Sequence, residues 1–194
     1  MYFCYDCRVF IPGVEEVSPK VELPVFIDIV KHRMEKNGKS TAIHCLLTAP
    51  LSTRIIDDFE DIPDYTDTTA FPNTVLVYPS KNAISIDEYV RTNGPIRRFV
   101  FIDATWYTVG SIRNQRSISA LPTVILKNYE TQYWRPQKGC SNTYLATIEA
   151  IYYAVIENWQ TSQQLQKSVE KYDGRFDNLL YWFFYFRSKV NMHG

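Results

Sequence analysis

Short apolar runs recur along the first two thirds of the chain: Val25-Phe26-Ile27-Asp28-Ile29-Val30, Ala42-Ile43-His44-Cys45-Leu46-Leu47, Thr74-Val75-Leu76-Val77-Tyr78, Arg98-Phe99-Val100-Phe101-Ile102 and Pro122-Thr123-Val124-Ile125-Leu126-Lys127. Each is brief, rich in β-branched residues and bounded by Pro, Gly or polar positions, which predicts strands. Near-continuous apolarity in several of them predicts a mainly parallel sheet with helices on both faces. After Thr147 the period changes. Ile148, Ile151, Tyr152, Val155, Ile156 and Trp159 fall on one helical stripe, with Thr147 as a natural N-cap and Glu149 as a first-turn acid. The start of such a helix can hold an anion. A final helix is predicted from about residue 175 to residue 189. Phe176, Leu179, Leu180, Phe183 and Val190 share one face, and Tyr181, Trp182, Phe184 and Tyr185 widen the apolar girth, predicting burial on two sides. The acidic, proline-containing stretch between Asp57 and Asp67 has no periodicity and reads as a surface loop. The fold class is α/β.

Composition narrows this picture. With 194 residues, 45% of them hydrophobic, and no repeat or linker, the chain fits one domain, residues 1–194, with a sizeable core. Lysine plus arginine balance aspartate plus glutamate at 21 each, so any nucleic-acid site must be a local patch. The longest apolar stretch ends at Arg187, short of the ~20 residues a bilayer requires, and the N-terminus lacks the zones of a secretory signal. An intracellular chain with reduced thiols and no membrane partner is expected. Residues 1–20 form an N-terminal extension carrying Cys4-x-x-Cys7, half of a zinc pattern. Neither Cys45, inside an apolar run, nor the isolated Cys140 supplies a second pair. Cys4 and Cys7 are therefore a partial metal site, expected to hold zinc substoichiometrically.

Candidate chemistry concentrates where the Arg98 run stops at Asp103-Ala104-Thr105-Trp106. In open α/β sheets ligands bind beyond the carboxyl ends of strands, which is where this run delivers Asp103. The same residues also fit a plain helix cap. A second segment, Tyr133-Trp134-Arg135-Pro136-Gln137-Lys138-Gly139 followed by Thr143-Tyr144-Leu145-Ala146-Thr147-Ile148-Glu149-Ala150, leads from a basic loop into a helix start.

Together with Ile27-Asp28-Ile29-Val30-Lys31-His32, Gly38-Lys39-Ser40-Thr41-Ala42-Ile43-His44 and Tyr172-Asp173-Gly174-Arg175-Phe176-Asp177, these segments resemble the DTW-domain family, in particular its eukaryotic type 1 branch, over nearly the whole chain. The resemblance implies a SPOUT-like domain with a C-terminal trefoil knot. It also implies a nuclear tRNA-modifying enzyme that transfers the 3-amino-3-carboxypropyl group of S-adenosylmethionine to N3 of a D-loop uridine. On that reading Asp103 is the general base and Glu149 the alternative carboxylate. Thr105, Trp106, Leu121, Arg135, Lys138 and Thr147 form the donor site, with Arg135 and Lys138 also suited to a tRNA phosphate. Lys31, His32, Arg97 and Arg98 are the RNA-facing candidates. Simpler roles stand beside these: a helix-start acid for Glu149, a core position for Trp106, a structural histidine at position 32.

The chain departs from the family pattern at Ala104 and Ala146, where serine is typical, and at His32-Arg33, where proline usually follows histidine. Related proteins commonly carry a further Cys pair upstream of the position matching Cys4. A SPOUT-type RNA methyltransferase and a catalytically silent RNA-binding module are the alternative functions. Monomer and homodimer are both open.

Overall fold

The computed structural model describes residues 1–105, 107–134, 142–168 and 170–191. Its elements run β1 (Phe3–Cys4), β2 (Val9–Phe10), β3 (Phe26–Lys31), α1 (Ala42–Thr48), β4 (Thr53–Ile56), β5 (Thr74–Val77), β6 (Ile84–Ser85), α2 (Ile86–Asn93), β7 (Arg98–Asp103), α3 (Val109–Arg113), α4 (Arg116–Ser119), β8 (Thr123–Ile125), α5 (Thr147–Leu165) and α6 (Tyr181–Asn191). A six-stranded sheet has the order β4-β3-β7-β5-β8-β6, and every pairing in it is parallel. The α/β class with a parallel sheet is as the apolar runs predict.

The pleat sorts the side chains of the central strands. Ile27 and Ile29 of β3 and Phe99 and Phe101 of β7 face one cluster with residues of α1, α2 and α5. Val30 and Val100 face the opposite cluster, closed by Ile112 of α3 and Ile118 of α4. Burying each such side chain contributes about 1.5–3 kcal/mol, so both faces of β3 and β7 are held firmly. A third cluster sets Phe3 of the β1–β2 hairpin edge-on against Trp182 of α6, with ring centroids 5.4 Å apart. Helix α6 thus packs on two sides, Phe183 into the main cluster and Trp182 under the hairpin, as its wide apolar girth predicts.

Four sequence expectations are corrected. The 42–47 run is helix α1, not a strand. Ala42, Cys45 and Ala49 face the sheet while Ile43 and Leu47 face Trp182, and a short run buried on both sides carries no readable period. The N-cap of α5 is Ala146, and Thr147 is its first helical residue. The last helix starts at Tyr181, after a 3-10 turn over Asp177–Leu180, and Val190 is exposed. Finally, the 57–67 stretch is not all surface. It holds a 3-10 turn at Phe59–Asp61, and Tyr65 is buried with its hydroxyl donating to Asp28 Oδ2 at 2.8 Å.

Candidate active site

Strand β3 leaves the sheet through α1 toward β4, while β7 leaves through α3 and α4, on the opposite face, toward β8. Where neighbouring parallel strands part in this way, a crevice opens beyond their carboxyl ends. The last residues of the two strands, Lys31 and Asp103, are register partners at that point. Asp103 shares the pleat direction of Phe99 and Phe101, so its carboxylate turns toward α1 and α5.

There it is buried and held by neutral donors. Ser40 Oγ donates to Asp103 Oδ2 at 2.6 Å, and Thr147 Oγ1 donates to Oδ1 at 2.7 Å. Ser40 Oγ accepts the backbone N–H of Ala42 at 3.2 Å, which fixes the direction in which its proton points. Beside it, Thr41 Oγ1 accepts the N–H of Ile148 at 3.1 Å. The β3–α1 loop, the end of β7 and the start of α5 are therefore stitched together around one carboxylate. Each of its oxygens keeps a further lone pair, so the group can still accept a proton from a ligand.

Glu149 is nearby but differently employed. Its carboxylate accepts from Thr131 Oγ1 at 2.6 Å, Gln132 N at 2.7 Å and Ala146 N at 2.8 Å. Alanine has no side-chain acceptor, so only the Glu149 half of a reciprocal capping box exists at α5. The anion expected at this helix start is thus supplied by the chain itself, as Glu149 and as Asp103 through Thr147. Glu35, which sequence reasoning passed over, feels the same carboxylate: burial and then the charge of Asp103 raise its carboxyl above the usual range. Ser40 and Thr41 lay inside a recognised segment, yet no local signal gave them roles, because their partners are 63 and 107 residues away.

The remaining candidates scatter. Thr105 is exposed and its hydroxyl meets that of Thr108 at 3.0 Å, at the entrance to α3. Leu121 is buried in the cluster on the α3 and α4 face. Lys31 is buried and ion-paired to Asp57 at 3.6 Å, and His32 is buried with Nδ1 accepting from Met34 N at 3.1 Å. Arg97 and Arg98 sit at the other end of β7 from Asp103; Arg97 is exposed, while Arg98 binds Asp28 Oδ1 at 2.8 Å. Trp106, Arg135, Lys138 and Cys140 lie outside the described residues. Cys4 and Cys7 share one turn, with the N–H of Cys7 donating to Cys4 Sγ at 3.3 Å. That bond lowers the Cys4 thiol from its ordinary value. Among the described residues no group of three or more His, Cys, Asp or Glu side chains is arranged to hold a metal, and no helix is long and apolar enough to cross a membrane.

Comparison with known proteins adds a family. The DTW domain model matches residues 1–191. The chain belongs to the DTW domain family. A mouse relative, tRNA-uridine aminocarboxypropyltransferase 1, is 34% identical over 236 residues, covering 100% of this chain and 75% of the relative. The same-named proteins of Xenopus tropicalis and Homo sapiens are each 31% identical, covering 98% and 94% of this DTW chain and 76% and 71% of their own lengths. Among solved structures, the SAM-dependent rRNA:acp-transferase of Vulcanisaeta distributa aligns with a TM-score of 0.47 at 14% identity, over 81% of this chain and 78% of that one.

Proposed function

We propose that this DTW-family chain is a tRNA-uridine aminocarboxypropyltransferase. It takes the 3-amino-3-carboxypropyl group from S-adenosylmethionine and places it on N3 of a D-loop uridine, acting as one knotted domain in the nucleus. Family membership and the relatives' shared name support the reaction class. The observation that carries the mechanism is the Asp103 carboxylate at the strand parting, oriented by Ser40 and Thr147 and in no ion pair among the described residues.

The donor supplies a carbon activated by its sulfonium: the bond to sulfur breaks as the bond to N3 forms, and methylthioadenosine leaves as a neutral thioether. Asp103 takes the proton from N3. Positioning of the two reactants across the crevice can provide most of the acceleration, since fixed geometry is worth up to ~7–11 kcal/mol, and a general base adds ~10²–10⁴-fold. The hydroxyls of Ser40 and Thr147 keep the carboxylate in one orientation. Thr147, which holds Asp103 from the first turn of α5, fits the donor side of the crevice.

The test is to incubate the purified chain with donor and unmodified tRNA and identify the nucleoside by-product. Methylthioadenosine in equal yield with modified uridine is the expected result. S-adenosylhomocysteine would make the chain a methyltransferase, and neither product would make it a binding module.

A further inference from the structure

We infer that a cleft outside Ser40 and Thr41, walled by aromatic rings and rimmed by two lysines, seats the target nucleotide of the RNA, a single pyrimidine turned out of its stack. This rests on the reading of the chain as a tRNA-uridine transferase and assigns the acceptor's place within it. The cleft has a volume of about 540 Å³, within the ~300–1,000 Å³ usual for small-molecule sites. Its sides come from distant parts of the chain: the 38–41 loop, the 133–134 segment, Tyr5 of the hairpin and Phe186 and Lys189 of α6.

The aromatic walls are held by packing rather than by a ligand. Trp134 lies 5.2 Å from the ring of fully buried Phe183, and Tyr133 lies 5.1 Å from Trp134. Across the mouth, the Tyr133 hydroxyl donates to the carbonyl of Lys39 at 3.3 Å. Flat rings fixed in this way offer a base a stacking platform.

Charge decides between the two substrates. Lys39 and Lys189 are exposed at the rim, Lys189 at 5.2 Å from the Tyr185 ring, and neither is ion-paired among the described residues. The donor carries a sulfonium and an ammonium against one carboxylate, so two lysines repel it; a nucleotide brings a phosphate on each side, which two lysines attract. Ser40 joins this cleft to the chemistry. It lines the wall and donates to Asp103 at 2.6 Å, so a base edge pressed against Ser40 and Thr41 lies beside the proposed general base.

The deciding experiment measures equilibrium binding of an unmodified tRNA transcript to the full chain and to a Lys39→Ala, Lys189→Ala double variant, across a series of salt concentrations. Both lysines are exposed, so folding is not in question. The variant should bind tRNA about tenfold more weakly with a salt slope shallower by roughly 1.5, while S-adenosylmethionine affinity measured without RNA stays at the wild-type value. Trp134→Leu should weaken tRNA binding by about tenfold with the salt slope intact, because it removes stacking and not charge. Unchanged tRNA affinity and slope in the lysine variant would overturn the assignment, and so would a loss of donor affinity without RNA. Weakened tRNA binding in a chain whose wild type forms no methylthioadenosine would support the cleft and sink the transferase reading; methylthioadenosine formation with lysine-independent tRNA binding would do the reverse.

Discussion

Asp28 and Asp103 are buried carboxylates on adjacent strands of one sheet, and the pleat turns them to opposite faces. Asp28 is surrounded by positive charge: Arg54 binds it through Nε at 3.2 Å and Nη2 at 2.7 Å, Arg98 at 2.8 Å, and the Tyr65 hydroxyl at 2.8 Å. Among the described residues, Asp103 receives two hydroxyls and no cation. Ringed by arginines, a carboxylate is neutralised and committed to the fold. Held only by neutral donors, it is oriented but still able to take a proton. The difference separates a structural from a chemical acid within one pair of strands, and it does so by partner type alone, since both are almost fully buried.

Replacing Asp28 should have the largest effect on folding. Asp28→Asn leaves Arg98 and Tyr65 facing an amide in a buried setting, and breaking a buried ion pair in this way costs ~3–5 kcal/mol. A loss of about 3 kcal/mol, the low end, is expected because Arg54 is half-exposed. Denaturant unfolding measures it, with turnover per folded molecule near wild type. A stable Asp28→Asn protein that had lost its activity would invert the comparison.

Next come the hydroxyls that orient Asp103. Ser40→Ala and Thr147→Val each remove one hydrogen bond to the carboxylate, worth ~1.5–3 kcal/mol when the acceptor is charged. Turnover at saturating donor and tRNA should fall about tenfold in each, with a larger loss in the double variant. Turnover equal to wild type in both would mean that Asp103 needs no orienting. The smallest effect concerns Asp57, partly exposed beside the site. Burial opposes its charge, but Arg8 and Lys31 outweigh that and hold the carboxyl below its usual range. A depressed carboxyl contributes stability above its unfolded value near ~4 and loses it as pH falls through the lower folded value. The melting temperature should therefore drop slightly below about pH 4, and Asp57→Asn should flatten that slope; an unaltered slope would remove Asp57 from the acid response.

Much of this contrast is visible in the residue string, and some of it is not. Strands β3 and β7 are legible because each is buried on both faces and too short and β-branched for a helix. Asp103 is legible because an apolar run ends on it. Asp28 is visible as one charge within an apolar run, yet its meaning depends on Arg54, Tyr65 and Arg98, which lie 26, 37 and 70 positions away. Local pattern cannot show such distances, and it hides α1 for a related reason: packing on both sides erases the polar stripe that would betray a helix. Glu149 illustrates the opposite case. Its place in the first turn of α5 is readable, but the bonds from Thr131 and Gln132 that occupy it arise only when the 131–132 segment folds back over the helix start.

The most direct measurement is single-turnover transfer by Asp103→Asn with donor and tRNA both bound, alongside its unfolding midpoint. Asparagine keeps the shape but offers one acceptor oxygen in place of two, so it keeps only one of the hydrogen bonds from Ser40 and Thr147 and cannot serve as a base for the N3 proton. The expected result is a folded protein, less stable than wild type by the one lost hydrogen bond, ~1.5–3 kcal/mol, with unchanged affinity for both substrates and a transfer rate lower by ~10²–10⁴. Transfer at the wild-type rate would contradict the assignment of Asp103 as the base and turn attention to Glu35.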